Sequence, residues 1–102
     1  MRLKSKVHNR VLTVFLFGEL DECSAPKLKD ELDELLDKNF FCEMVIFDLS
    51  GLTFMDSTGI GMLIGRYKKL KNVNIPSYIS GASCSIEKVL EISGIHKIMP
   101  KY

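Results

Sequence analysis

Tryptophan is absent from this chain of 102 residues, and proline, cysteine and histidine are scarce at three, three and two. Cys23, Cys42 and Cys84 are odd in number and lack CxxC spacing, so they build neither a zinc site nor a disulfide framework. Free thiols in a reducing compartment are the expectation. No charge of one sign dominates. The formal net charge is +1 and charged residues make up 26% of the chain, both signs interspersed. That balance offers no general electrostatic case for nucleic acid or an anionic membrane surface. The short basic run of Arg66, Lys68, Lys69 and Lys71 reads as a solvated helix face. No apolar run approaches the ~20 residues of a membrane span, and residues 1–6 lack the apolar core of a signal peptide. No membrane segment, no leader and a single domain over residues 1–102 are therefore expected.

What is present centres on residues 45–61. Val45, Ile46, Phe47 and Leu49 form an apolar run interrupted by Asp48, the pattern of a strand buried on both faces. Ser50-Gly51 breaks it. Leu52, Phe54 and Met55 pin the connection to the core, and Asp56, Ser57 and Thr58 are all N-cap candidates for a helix over 58–70. A serine hydroxyl is thus expected at a helix N-terminus, at the C-terminal edge of a sheet, where sites in open α/β sheets tend to lie.

The flanking chain fits an α/β fold with a mixed sheet. Residues 6–8 and 11–17 read as a hairpin about Asn9-Arg10. Leu12, Val14 and Leu16 alternate with Val11, Phe15 and Phe17, so the second strand is expected inside the sheet, apolar on both faces and ended by Gly18. Residues 18–22 form a loop carrying three acids. Ser24 then caps a helix with Pro26 in its first turn and Ala25, Leu28, Leu32, Leu35 and Leu36 on one stripe. Strand, helix, strand of this length implies a right-handed crossover and parallel pairing. Pro76 makes the strand around 75–80 an edge. A short helix follows, capped by Ser83 or Ser85, with Ile86, Val89, Leu90 and Ile92 inward and Gly94 ending it. Residues 95–99 read as a last strand.

Several chemistries fall away. Gly59-Ile60-Gly61-Met62-Leu63-Ile64-Gly65 has one residue too many for GxGxxG, and no GKS or GKT is present. Ser57 as a nucleophile needs a histidine beside it, and the segment is not GxSxG. Asp21, Asp48 and Asp56 could share the sheet edge and suit magnesium, but turn and capping roles are the favoured reading. Gly61 and Gly65, off the apolar stripe of their helix, allow either close packing within the domain or a partner surface that also takes in Met62 and Arg66. Ser57 itself is either an unmodified cap or a phosphoacceptor. A phosphate there would meet free backbone N–H groups and the helix dipole. It would add about −1.5 to −2 charges among Asp56, Asp21 and Glu19.

Gly18-Glu19-Leu20-Asp21, then residues 54–61 from Phe54 through Asp56-Ser57-Thr58-Gly59 to Gly61, then Gly65-Arg66-Tyr67-Lys68 and residues 92–98, together resemble the anti-anti-sigma factors of the STAS domain class. The sporulation type, antagonists of the anti-sigma-F factor, is most similar in its Gly-Arg-Tyr-Lys run. The resemblance implies a cytoplasmic α/β domain that is no enzyme and takes no cofactor. Its unphosphorylated form would bind an anti-sigma factor that is also an ATP-dependent serine kinase, freeing a sigma factor for transcription. Phosphorylation of Ser57 would end binding, and a serine phosphatase would restore it. Glu19, Asp21, Asp56, Ser57, Thr58, Gly59, Gly61, Met62, Gly65 and Arg66 are the implied partner-binding residues. Thr58 stands where the sporulation type often has serine, and as a first-turn residue it is expected to point less outward. Many members carry a further C-terminal helix beyond the place of Lys101-Tyr102. A second reading is a regulatory or nucleotide-sensing STAS module of another signalling or transport system.

Overall fold

The computed structural model describes residues 1–102. Strand β1 (Arg2–His8) turns into β2 (Val11–Leu20), and helix α1 (Ala25–Asp37) carries the chain to β3 (Met44–Met55). Helix α2 (Ser57–Lys71), strand β4 (Ser77–Ser80) and helix α3 (Cys84–Ser93) complete it. The sheet order is β1-β2-β3-β4. The β1–β2 pair is antiparallel and the other two are parallel, so the sheet is mixed, as the hairpin and crossover patterns imply. Asn9 and Arg10 both take positive φ (50° and 64°), the backbone of a tight two-residue hairpin turn.

The helices form one layer, α2 lying between α1 and α3. One cluster of 24 buried residues joins all three to the sheet, so the molecule has a single core. The sheet register shows which face that core takes. Leu12 pairs with Val45 and Val14 with Phe47, and Phe47 pairs with Ile79; all five are buried. The alternate residues Thr13, Phe15, Phe17, Asp48 and Tyr78 are half-buried, with Ile46 alone on that face fully buried. Neither β2 nor β3 is therefore covered on both faces. The apolar residues on the second face lean on neighbours in the sheet and on β1 cations, such as Arg2 at 5.2 Å from the Phe17 ring.

Two further expectations are corrected at the end of the sheet that carries the site. Gly18 does not end β2, and Ser50-Gly51 does not break β3; both strands run on to the edge. The ladder absorbs two irregularities instead. Phe15 and Phe17 pair with Asp48 and Gly51, and Gly18 and Glu19 pair with Leu52 and Phe54, so β3 gains one residue at each step. Gly51 permits the first: an added Cβ would lie 2.3 Å from Phe17 Cδ1 and 2.9 Å from the Leu16 carbonyl oxygen. Gly18, at φ 104°, takes the second.

Helix α1 buries Ala25, Leu28, Leu32 and Leu36, as its stripe implies. Helix α3 is capped by Ser83, whose Oγ accepts from the Ile86 N–H, and closes on Gly94 at φ 76°. Ile92 is 89% exposed, not inward, because it falls on the face of α3 opposite Ile86 and Leu90. Ile95–Lys97 forms a short 3-10 turn where a strand was expected, and Lys101 makes a single bridge to Ile79. No helix is long and apolar enough to cross a membrane.

Candidate functional site

The site starts from the paired ends of β2 and β3. Leu20 pairs with Met55, and the Asp56 N–H donates to the Leu20 carbonyl at 3.3 Å. Asp56 is extended (φ −115°) and caps α2: its Oδ1 accepts from the N–H groups of Thr58 (2.9 Å) and Gly59 (3.2 Å). The Ile60 N–H goes to the Asp56 carbonyl oxygen. Ser57 is consequently the first helical residue and not the cap. It is exposed, and its hydroxyl makes no hydrogen bond within the chain. This changes the electrostatics expected for a modified Ser57. Asp56 already occupies the Thr58 and Gly59 donors, so the Ser57 N–H alone stays open in that turn. Fewer free N–H groups are therefore left for a phosphate on Ser57 than the sequence suggested.

Asp21 performs the equivalent task for α1. Its Oδ1 accepts from the N–H groups of Cys23 and Ser24, each at 3.0 Å. Those bonds hold its carboxyl below the usual range. The Ser24 N–H contributes most, against partial desolvation, with the Cys23 N–H and the Ser24 hydroxyl adding to it. Ser24 does not cap in the expected way: its Oγ accepts from the Asp21 N–H (3.1 Å) and donates to the Glu19 carbonyl (2.8 Å). Glu19 is exposed on the last turn of β2, paired with Phe54. Asp48 does not belong to this edge. It sits mid-strand opposite Phe15 and Ser80, its Oδ1 accepting from the Ser50 N–H and hydroxyl, so the three aspartates do not form a cluster.

No histidine approaches Ser57. His8 lies by the hairpin at the opposite end of β2. His96 is engaged by Glu87 Oε2 through Nε2 (2.7 Å) and by the Met99 carbonyl through Nδ1 (3.1 Å). A serine hydrolase constellation is not assembled here.

Beside Ser57 a groove of about 440 Å³ runs between α1 and α2. Glu22, Ala25, Pro26 and Lys29 form one wall; Thr58, Gly61, Met62, Gly65 and Arg66 form the other. A Cβ added at Gly61 or Gly65 would meet nothing within 4 Å. These glycines therefore do not serve close packing inside the domain; they keep the groove open. Met62 is buried where it lines the groove, whereas Gly59 is buried outside it, against the Leu20 and Met55 side chains. Arg66 is also buried, at 7% exposure, and crosses to α1, with Nε 3.0 Å from Asp33 Oδ1.

Two residues at this edge are more exposed than their sequence positions implied. Thr58 is exposed beside Ser57, not turned inward. Phe54 is 48% exposed, where a core role was expected. The second β3 irregularity turns it outward and returns Met55 to the core. Only the ladder register reveals that, since an aromatic residue in an apolar stretch otherwise reads as buried.

The family pattern of the STAS domain matches residues 2–102. The chain belongs to the STAS domain family. An anti-sigma F factor antagonist of Paenibacillus polymyxa is 32% identical over 102 residues, covering all of this STAS chain and 86% of that relative. An anti-sigma-B factor antagonist of Listeria monocytogenes is 31% identical over 88 residues, 86% of this chain and 75% of the other. The STAS fold here also matches the unphosphorylated anti-sigma factor antagonist SpoIIAA, at a TM-score of 0.80, 24% identity, and coverage of 99% and 88%. The phosphorylated form of SpoIIAA from Bacillus superimposes at 0.71 with 24% identity, covering 99% and 91%. The relatives are described as anti-sigma factor antagonists, which are regulatory proteins.

Proposed function

We propose that this STAS domain is a phosphorylation-controlled antagonist of an anti-sigma factor that is itself a serine kinase. The unphosphorylated form binds the kinase over the Ser57 edge and the α1–α2 groove, and a sigma factor is released. The kinase then transfers the γ-phosphoryl group of ATP to Ser57 Oγ: the new O–P bond forms as the bond to ADP breaks, and the hydroxyl proton passes to a base of the kinase. A serine phosphatase hydrolyses the phosphoester and restores binding. The process belongs in the cytoplasm, where sigma factors meet polymerase, and sporulation is the programme nearest the F-type relative.

The observation that carries this reading is the division of labour at the α2 N-terminus. Asp56 holds the cap, which leaves the Ser57 hydroxyl exposed and uncommitted. A modification there would leave the helix intact while placing a dianion on the partner face. Glu19 and the exposed Phe54 extend that face, and Phe54 is the kind of aromatic that anchors an interface.

The test is intact mass after incubation with the host's candidate anti-sigma kinase and ATP. The expected result is one phosphoryl gain in the parent and none in Ser57→Ala. A gain that survives Ser57→Ala would move the acceptor, with exposed Thr58 the next candidate. No gain with an active kinase would reject the switch. Ser57→Asp is expected to weaken the complex at least tenfold, about 1.4 kcal/mol, measured by calorimetry.

A further inference from the structure

Strand β1 ends the sheet: β2 pairs with it on one side and no strand pairs with it on the other. Backbone N–H and C=O groups along that outer side are left for another chain to pair with. Its side chains divide by face. On the face without helices stand Arg2, Lys4 and Lys6, each exposed, opposite Phe17, Phe15 and Thr13 of β2. Arg2 and Lys4 lie 5.2 and 6.0 Å from the centre of the Phe17 ring, so their stems rest on the sheet. None of the three pairs with a carboxylate; every ion pair of the molecule lies elsewhere. Asp48 on this face stands two strands away and is taken up by Ser50, and Glu19 lies past the last β1–β2 pair. On the helix face of β1, Leu3 is half-buried and Val7 is 45% exposed. The charged α1 side chains beside Met1, Lys27 and Glu31, are one of each sign, so that face selects no charge.

We infer that the outer edge of β1 takes an extended segment of a protein partner in which acidic and apolar residues alternate, added to the sheet as a further strand. Its backbone would close the open ladder. Alternate residues of a strand recur at roughly 6.6 Å, on the partner and on β1 alike. Acids on one face of the segment therefore meet Arg2, Lys4 and Lys6 in turn, while apolar residues on its other face cover Leu3 and Val7. Opposite charges facing each other across a strand pair are favourable and like charges are not. A second copy of β1 is thereby a poor occupant, since it would set Arg2, Lys4 and Lys6 against their own counterparts. The inference stands apart from the function proposed above: β1 flanks the sheet, whereas Ser57 lies at the ends of β2 and β3.

The probe is the acetylated, amidated peptide Thr-Glu-Val-Glu-Val-Glu-Thr, titrated into the isotope-labelled full chain. It is expected to shift the amide resonances of residues 2–8 to saturation and to slow hydrogen exchange at the β1 amides that face outward. A peptide of the same composition with its glutamates in one block should bind about tenfold more weakly. The Lys4→Glu, Lys6→Glu double variant should lose the glutamate peptide and gain the peptide with lysine in place of each glutamate. Retained spectral dispersion would show that it folds. The milder Lys4→Gln, Lys6→Gln pair should weaken the first peptide without gaining the second. Absence of saturation in the parent would overturn the inference and leave the cations as guards against edge pairing. Equal binding of the blocked peptide would overturn it too, since charge attraction alone would then suffice. Oligouridylate or phosphatidylserine vesicles moving the β1 resonances where the peptide does not would overturn it in favour of a nucleic-acid or membrane face. A parent that dimerises through β1 in the absence of peptide would overturn it in favour of a second copy. If no kinase binds the parent, the function proposed above fails, while the peptide result still decides this edge.

Discussion

Asp56 and Ser57 are neighbours with opposite duties. Asp56 binds two backbone donors of α2, whereas Ser57 binds nothing within the chain. Asp56→Ala is therefore expected to cost about 1 kcal/mol of stability, the usual loss for an N-cap. Ser57→Ala should stay within about 0.5 kcal/mol of the parent. Urea unfolding of both variants checks the pair, and equal losses would contradict the assignment. Asp21 offers a pH-dependent counterpart. Its carboxyl is depressed in the folded state, chiefly by the Ser24 N–H. A depressed carboxyl contributes its stabilisation fully above the unfolded value, near ~3.9 for aspartate. That contribution is lost as pH falls through the lower folded value. Asp21→Asn should thus be less stable than the parent at neutral pH, with the gap closing on acidification, as followed by thermal melts across pH. The Asp-Ser-Thr triplet was legible as a helix start, but which of the three caps was not. All three side chains can accept from the first turn, and only the backbone φ at Asp56 separates them.

At the scale of elements, the helices were legible and the strand ends were not. Helix α1 advertises itself through Leu28, Leu32 and Leu36 at helical spacing. Period-2 reasoning also works through Val45, Phe47 and Leu49. It fails beyond Gly51, because each added β3 residue reverses the side-chain parity, and sequence alone does not mark where a ladder slips. The same limit produced the expectation of strands covered on both faces, since apolar alternate positions such as Phe15 and Phe17 look alike whether a helix or a neighbouring cation shields them. The bond between α1 and α2 was equally hidden: Asp33 and Arg66 lie far apart in sequence and meet only in the fold. Removing Asp33 would strand the buried Arg66 charge. A wholly buried pair would lose about 3–5 kcal/mol. Asp33 is 27% exposed, so about 2 kcal/mol is expected for Asp33→Ala, with an Asp33→Leu, Arg66→Met double variant recovering most of it. A double-mutant cycle by chemical unfolding measures this.

For the whole molecule, the mixed sheet was legible in the hairpin and crossover patterns and the family in motifs spread across the chain, because Gly18-Glu19-Leu20-Asp21 and the Asp56-Ser57 segment fall at the two strand ends that fold side by side. The groove did not follow, since it needs two helices to make it. Under the proposed switch, its position beside Ser57 would set how information passes through the protein. Because Asp56 and not Ser57 holds the cap, the fold is expected to be indifferent to the state of Ser57. Both forms should therefore resist cellular proteases alike, and a pulse-chase comparison of parent, Ser57→Ala and Ser57→Asp is expected to give equal half-lives. The signal would then reside in the ratio of two equally durable populations. A cell could reverse it as fast as its kinase and phosphatase turn over, without waiting for new synthesis.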